Sequence, residues 1–320
     1  MGIIECQNLK VQLSTWEGSF SCAFQEGAWH VICGGSGSGK STLMRTMLGL
    51  TTPISGDLLI DGKSIVMEPP HKRQMSFMAQ YNLLVPHMTV KDNLSLVLHD
   101  TKLTPREKSE KIDEILVLLK LDTAHLDRLP KNLSGGQLSR CNLARAILRP
   151  ARWLLLDEPF AAVDRPTRLL ILDWLRGWQD HNGTGILLVS HDLDDIFNVA
   201  SHVTVVSHGQ VIESNTLPDA ISSPQNLSTA SLLRTGAIIR DGARITFVNS
   251  ENLYTSPQVP DCAAHDLTEI KIPRARVVAI GKSMRVIDLS TGLDVTITST
   301  NGFAGSLWFD KRNARTLSDR

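Results

Sequence analysis

Gly34, Gly35, Gly37 and Gly39 stand with Ser36 and Ser38 directly ahead of Lys40, Ser41 and Thr42. The spacing Gly34, four residues, Gly39, Lys40, Ser41 is that of a phosphate-binding loop. The chemistry accounts for the composition. A triphosphate carries several negative charges and needs many donors converging on it. Side chains between positions 34 and 39 would hold it away, whereas glycine leaves the amide N–H groups free to form an anion nest. A helix following the loop adds its N-terminal amides and the positive end of its dipole. Lys40 supplies a point charge for the outer phosphates, and the Ser41 hydroxyl suits Mg²⁺.

Two further stretches offer matching chemistry. In "LLLDEP", residues 154–159, an apolar strand ends in Asp157, whose carboxylate can face Mg²⁺ across from the loop. Glu158, one residue later, is placed to polarise an attacking water or accept its proton. In "LSGGQ", residues 133–137, Ser134, Gly135, Gly136 and Gln137 make a second helix N-terminus ready for an anion. One nucleotide cannot easily use two such loops from the same lobe. A two-fold dimer resolves this, each protomer's serine-glycine loop closing on the nucleotide held by the other. The plainer alternative is that Ser134 simply caps a helix.

These groups need a scaffold that brings them to one place. "AWHVICGG", "RWLLLDE" and "GILLVSH" read as buried strands, each ending in glycine, acid or histidine. Binding groups collect at the carboxyl ends of strands in an open parallel sheet. "STLMRTMLGL" places Leu43, Met44, Met47 and Leu48 at helical spacing and closes on Gly49. "SGDLLIDGK" predicts a strand and an Asp-Gly turn. "TPREKSEKIDEILVLLKLD" predicts a helix starting at Thr-Pro, with Ile112, Ile115, Leu116 and Leu119 on one stripe.

From about residue 229, short β-rich pieces such as "ARITFVN", "RARVVAIG", "MRVIDLS" and "DVTITST" are separated by Gly, Ser, Asn and Pro. The expected organisation is an α/β domain over 1–228, with a helical subdomain at about 86–145, and a β-rich accessory domain over 229–320. The segment 214–228 reads as their link.

Composition narrows the class of partner. Lys plus Arg and Asp plus Glu number 33 each, so no global charge argues for nucleic acid. Five cysteines, at 6, 22, 33, 141 and 262, form no CxxC pair, which suits a reducing cytosol. The N-terminus lacks the layout of a signal peptide, and no run is long and apolar enough to span a bilayer.

"GGSGSGKST", "LSGGQ" and "LLLDEP" resemble, in order and spacing, the Walker A, signature and Walker B motifs of ATP-binding cassette (ABC) ATPases. The resemblance covers residues 1 to about 225. It implies an α/β P-loop cassette, with a RecA-like core and helical subdomain, carrying a C-terminal domain similar to the OB-type (TOBE) domains of importer ATPases. It implies ATP and Mg²⁺ as ligands. Gln80 is similar to the Q-loop glutamine that touches Mg²⁺, His191 to the switch histidine at the γ-phosphate, and Asp164 to the D-loop aspartate at the dimer interface. Trp16 is the candidate for the aromatic group that stacks on adenine.

The sequence departs from the family at Leu138-Ser139-Arg140, where a second glutamine is frequent, and at "AAVD", where "SALD" is common. The resemblance is closest to bacterial molybdate, thiamine and ferric-iron importer ATPases. It implies membrane permease subunits, a solute-binding protein and a second copy of the chain as partners, and a peripheral place on the cytoplasmic face of the plasma membrane. The alternatives are an exporter subunit or a soluble ABC ATPase outside transport. Only 93 residues lie between Lys40 and Ser134, which leaves no room for the long coiled coil of chromosome-maintenance members.

Overall fold

The computed structural model describes residues 2–81 and 83–233, and beyond them the backbone of a series of C-terminal strands. Cys262 and the turns between those strands lie outside the described residues. The chain divides into two compact units, Met1–Val211 and Ile212–Arg320.

The first unit opens with β1 (Ile3–Leu13), β2 (Trp16–Gln25) and β3 (Trp29–Cys33), followed by α1 (Lys40–Met47). Next come β4 (Ser55–Ile60), β5 (Lys63–Ser64) and β6 (Met75–Met78). Three helices follow, α2 (Val90–Leu96), α3 (Pro105–Leu118) and α4 (Gly135–Leu148). Strand–helix alternation then resumes with β7 (Trp153–Asp157), α5 (Arg165–Asn182), β8 (Gly185–Val189), α6 (Leu193–Val199) and β9 (His202–Ser207). Strand β10 (Gln210–Thr216) carries the chain across the boundary between the units.

These strands form a ten-stranded sheet in the order β5-β4-β1-β2-β10-β9-β3-β8-β7-β6. One side is an antiparallel meander, in which β1 pairs with both β2 and β4. On the other side β9, β3, β8, β7 and β6 run parallel. Every residue of β3, β7 and β8 is buried, as expected of parallel strands covered on both faces. The side chains of β1, β2 and α1 complete the core, with Phe20, Phe24, Leu43, Met44 and Met47 fully enclosed.

The helices start where their caps dictate. Thr104 accepts from the Glu107 N–H while Glu107 reaches back, a capping box with Pro105 just inside. Ile112, Ile115, Leu116 and Leu119 then lie on the buried stripe.

The segment 214–228 is not an open link. Thr216 caps α7 (Leu217–Ser222), and Glu213 accepts from the Gln225 N–H at 3.0 Å and the Asn226 amide at 3.2 Å. Asn226 in turn receives the Thr229 N–H at 2.9 Å at the start of α8 (Leu227–Leu233). Thr216 and Asn226 within this segment are therefore helix caps. The two compact units divide at 211/212, ahead of this capped segment.

Within the second unit, β11 (Gly236–Asp241), β12 (Arg244–Asn249), β13 (Leu267–Lys271) and β14 (Ala275–Ile280) precede β15 (Ser283–Asp288), β16 (Leu293–Thr298), β17 (Ser306–Asp310) and β18 (Ala314–Leu317). They pair antiparallel as β11-β12-β18, β13-β17 and β14-β15-β16.

The parallel register of β3 and β9 sets His30 beside His202, and their rings stack with centroids 4.7 Å apart. His30 is 2% exposed, and its Nε2 lies 2.8 Å from the Gln25 N–H, which donates to the neutral ring. Burial, with the neighbouring His202 adding repulsion, pushes the His30 pKa down to about 4. A lowered folded-state value means that the unfolded chain takes up the proton first. The stabilisation is therefore complete above the ordinary histidine range and is lost as pH falls from about 6.5 towards 4. The loss should reach about 2–3 kcal/mol near pH 4.5. Urea midpoints measured at pH 7.5 and pH 4.5 check this: His30→Leu should show a drop smaller than that of the native chain by about that amount. Equal drops would remove His30 from the acid sensitivity.

Candidate functional site

The loop between β3 and α1 folds as its glycines permit. Gly34 has φ 147°, and a Cβ there would stand 2.0 Å from the Val206 carbonyl oxygen. Gly39 has φ 110°, and a Cβ would meet the Trp16 indole at 2.7 Å. Only a residue without a side chain fits either place. Lys40 folds back over the loop, its Nζ donating to the Gly34 and Gly35 carbonyls at 2.9 and 2.8 Å. Burial lowers the Lys40 pKa, and the carboxylates of Glu158 and Asp157 oppose that shift.

The parallel strands bring the other groups to the same edge. Asp157 ends β7 and is buried, close enough to the Ser41 hydroxyl for that group to favour its charged form. Burial raises its pKa from the ordinary aspartate value, against the pull of Ser41 and Lys40. A desolvated carboxyl next to a hydroxyl is a place where a cation is favoured. Among the described residues no cluster of three or more His, Cys, Asp or Glu could hold a metal alone. Mg²⁺ fits this donor set, because it commonly keeps several waters and takes one or two carboxylates plus phosphate oxygens.

Glu158 follows with φ 49°, a left-handed conformation at a non-glycine position. Its N–H donates to the Val189 carbonyl at 3.1 Å, fastening the bent turn to the end of β8. The bend turns the carboxylate into the cleft. There Oε2 accepts from Gln80 Nε2 at 3.1 Å, and Oε1 lies 3.5 Å from His191 Nδ1. The His191 side chain is 73% exposed, at the rim.

Trp16, Gly34, Lys40, Ser41, Thr42, Gln80, Glu158 and His191 therefore share one cleft of about 690 Å³. Ser38 is buried beneath the loop, and its hydroxyl has no hydrogen-bond partner.

Two sets of expected site residues lie elsewhere. Ser134 is the N-cap of α4: its oxygen accepts from the Gln137 N–H, and Gln137 Oε1 accepts from the Ser134 N–H. Asp164 caps α5 by accepting from the Thr167 N–H at 3.0 Å. None of Ser134, Gly135, Gly136, Gln137 and Asp164 lines the cleft of its own chain. Sequence reasoning missed Leu13, which lines the cleft opposite Trp16 across the tip of the β1–β2 hairpin and is 45% exposed. An apolar residue beside a hairpin turn was the available signal.

Comparison with known proteins follows the same outline. A family model described as "ABC transporter" matches residues 18–161. The thiamine import ATP-binding protein ThiQ of Vibrio parahaemolyticus is 37% identical over 188 residues, 58% of this chain and 80% of that protein. The spermidine/putrescine import ATP-binding protein PotA of Thermotoga maritima is 37% identical over 186 residues, 58% of this chain and 50% of its own. The sulfate/thiosulfate import ATP-binding protein CysA of Mycobacterium tuberculosis is 38% identical over 180 residues, 56% and 51% respectively. The chain thus spans about half the length of the latter two relatives.

A solved ATP-binding subunit of an ABC transporter superposes with a TM-score of 0.64 at 22% identity, covering 72% of this chain and 97% of that one. A dimeric bacterial ABC transporter cassette, MJ0796, gives 0.61 at 24%, covering 67% and 98%. These likenesses show the cassette fold.

The Gly39 geometry yields a direct test. Alanine at 39 combines a disfavoured φ with the clash against Trp16, a strain of about 1–3 kcal/mol that the loop relieves by moving. Gly39→Ala should weaken binding of a fluorescent nucleoside triphosphate about tenfold or more. Native affinity with an unchanged urea midpoint would show that the loop is not held as described.

Proposed function

The chain belongs to the ABC transporter family, and on that premise we propose that it binds and hydrolyses ATP as the motor subunit of an importer. The observation that carries this reading is the convergence of Lys40, Gln80, Glu158 and His191 on the glycine loop in one cleft. The loop amides and Lys40 bind the phosphates, with Lys40 exchanging its two carbonyl partners for phosphate oxygens. Ser41, Asp157 and Gln80 would hold Mg²⁺, which supplies charge neutralisation for the phosphates. Glu158 orients the attacking water and takes its proton, while Gln80 and His191 hold the carboxylate in place from either side. Trp16 and Leu13 offer apolar surface for the base.

The site is completed by a second copy. The N-terminus of α4, capped by Ser134, stands outside its own cleft, so Ser134, Gly135, Gly136 and Gln137 serve the nucleotide of the partner, with Asp164 at the same interface. The thiamine, polyamine and sulfate relatives are named as import proteins, which favours import over export. Permease subunits would then dock on the groove lined by Leu50, Phe77, Leu83, Val97 and Arg145, with a solute-binding protein on the far side of the membrane. No helix among the described residues is long and apolar enough to cross a membrane, in keeping with a peripheral place on the cytoplasmic face. The short antiparallel sheets of Ile212–Arg320 support reading that unit as an OB-type accessory domain.

Glu158→Gln keeps the shape and removes the base. Turnover should fall about a hundredfold or more while ATP still binds, and the variant should accumulate as an ATP-bound dimer by mass photometry. Undiminished turnover would take Glu158 out of the chemistry. Mixing tests the sharing: Lys40→Ala and Ser134→Arg proteins are each inactive alone, yet together form one intact composite site and should recover part of the ATPase rate. No recovery at any ratio, with dimers present, would mean that the site is self-contained.

A further inference from the structure

His191 sits on a loop between β8 and α6, and α5 reaches across to hold it. Arg168 lies in the first turn of α5, its N–H bonded to the Asp164 carbonyl at 2.9 Å. Its Nη1 donates to Asp192 Oδ2 at 2.5 Å and to Asp195 Oδ1 at 3.2 Å. Asp195 Oδ2 accepts from the Ser190 hydroxyl at 2.8 Å, and the Ser190 oxygen accepts from the Asp192 N–H at 3.1 Å. Both chain neighbours of His191, Ser190 and Asp192, are thereby tied into one network.

Asp195 is 3% exposed. Without the guanidinium the buried Asp195 carboxylate would lose its ion pair, and a buried charge stripped of its partner strongly disfavours the arrangement that holds it. The network stands beside the cleft rather than in it, around a pocket of about 210 Å³ that it shares with Glu158 and His191.

We propose that Arg168 is a positioning residue for the hydrolysis reaction: through Asp192 and Asp195 it fixes the loop that aims His191 at Glu158, and ties that loop to the helix capped by Asp164. The assignment rests on the ATPase reading above for its consequence, but not for its geometry. One nitrogen reaches both carboxylates, so the positive charge matters more than the forked shape.

The test uses the full chain with Arg168→Met, Arg168→Lys and Asp192→Asn, each also combined with His191→Ala. Arg168→Met should lower kcat about tenfold or more with KM for ATP within about threefold, and lysine should restore most of the loss. In the His191→Ala background the same change should alter kcat less than about twofold, because Arg168 acts through the absent imidazole. A readout independent of turnover is the His191 ring signal in NMR spectra, assigned by its loss in His191→Ala. It should hold its position in Arg168→Lys and shift or broaden in Arg168→Met and Asp192→Asn. An unmoved ring signal in Arg168→Met overturns the proposal, as does a kcat loss of equal size with and without His191. A native chain that hydrolyses no ATP would instead overturn the motor reading, and the ring signal would still decide the role of Arg168.

Discussion

Parallel backbone pairing of β3, β8, β7 and β6 is the constraint on which the site rests. In that register Ile32 lies beside Val189, Val189 beside Asp157, and Leu156 beside Met78. Four chain segments therefore leave the sheet at one edge within a residue or two of each other. The glycine loop follows β3, Ser190 and His191 follow β8, Glu158 follows β7, and Gln80 follows β6. A strand advances about 3.3 Å per residue and reverses its faces at each step. A slip of one residue in any pair would carry its functional group out of reach and turn it to the opposite face. The buried aliphatic runs that fix the register thus serve the chemistry as well as the core.

At that edge the electrostatics are arranged for a guest of opposite sign to each resident. Lys40 is desolvated and leans on carbonyl oxygens, which are weaker partners than an anion. Asp157 is buried, and its carboxyl is raised by that burial. Each group is held in a setting that its ordinary charge does not favour, so a ligand with paired negative phosphates and a cation relieves both at once. The left-handed turn at Glu158 belongs to the same economy of strain, since only a bent backbone swings that carboxylate from the sheet edge between Gln80 and His191.

Much of this was legible in the sequence, for identifiable reasons. The glycine loop, Asp157 and Glu158 are legible because anion nests and strand-end carboxylates impose residue types at fixed spacing. The α3 stripe is legible because its period and its Thr-Pro start agree. The helices inside residues 214–228 were not legible because Ser, Pro and Asn suit loops, and Asn226 is marked as a cap only by contacts such as those with Glu213 and Thr229. Arg168 was invisible for a different reason: its partners, Asp192 and Asp195, lie beyond a whole strand, and no local pattern links them. Leu13 escaped because its role depends on where a hairpin tip lands, which is decided by the pairing of β1 with β2 and β4.

The capping box at Ser134 carries a directional consequence. The hydroxyl oxygen is occupied as an acceptor of the Gln137 N–H, which orients its proton away from the helix. Capping and ligand contact are therefore compatible and polarised. The same atom group receives from inside its own helix and can give outward, to a species rich in lone pairs. An outward O–H at a helix N-terminus suits an anion, so the cap and the helix dipole behind it favour the same sign of charge.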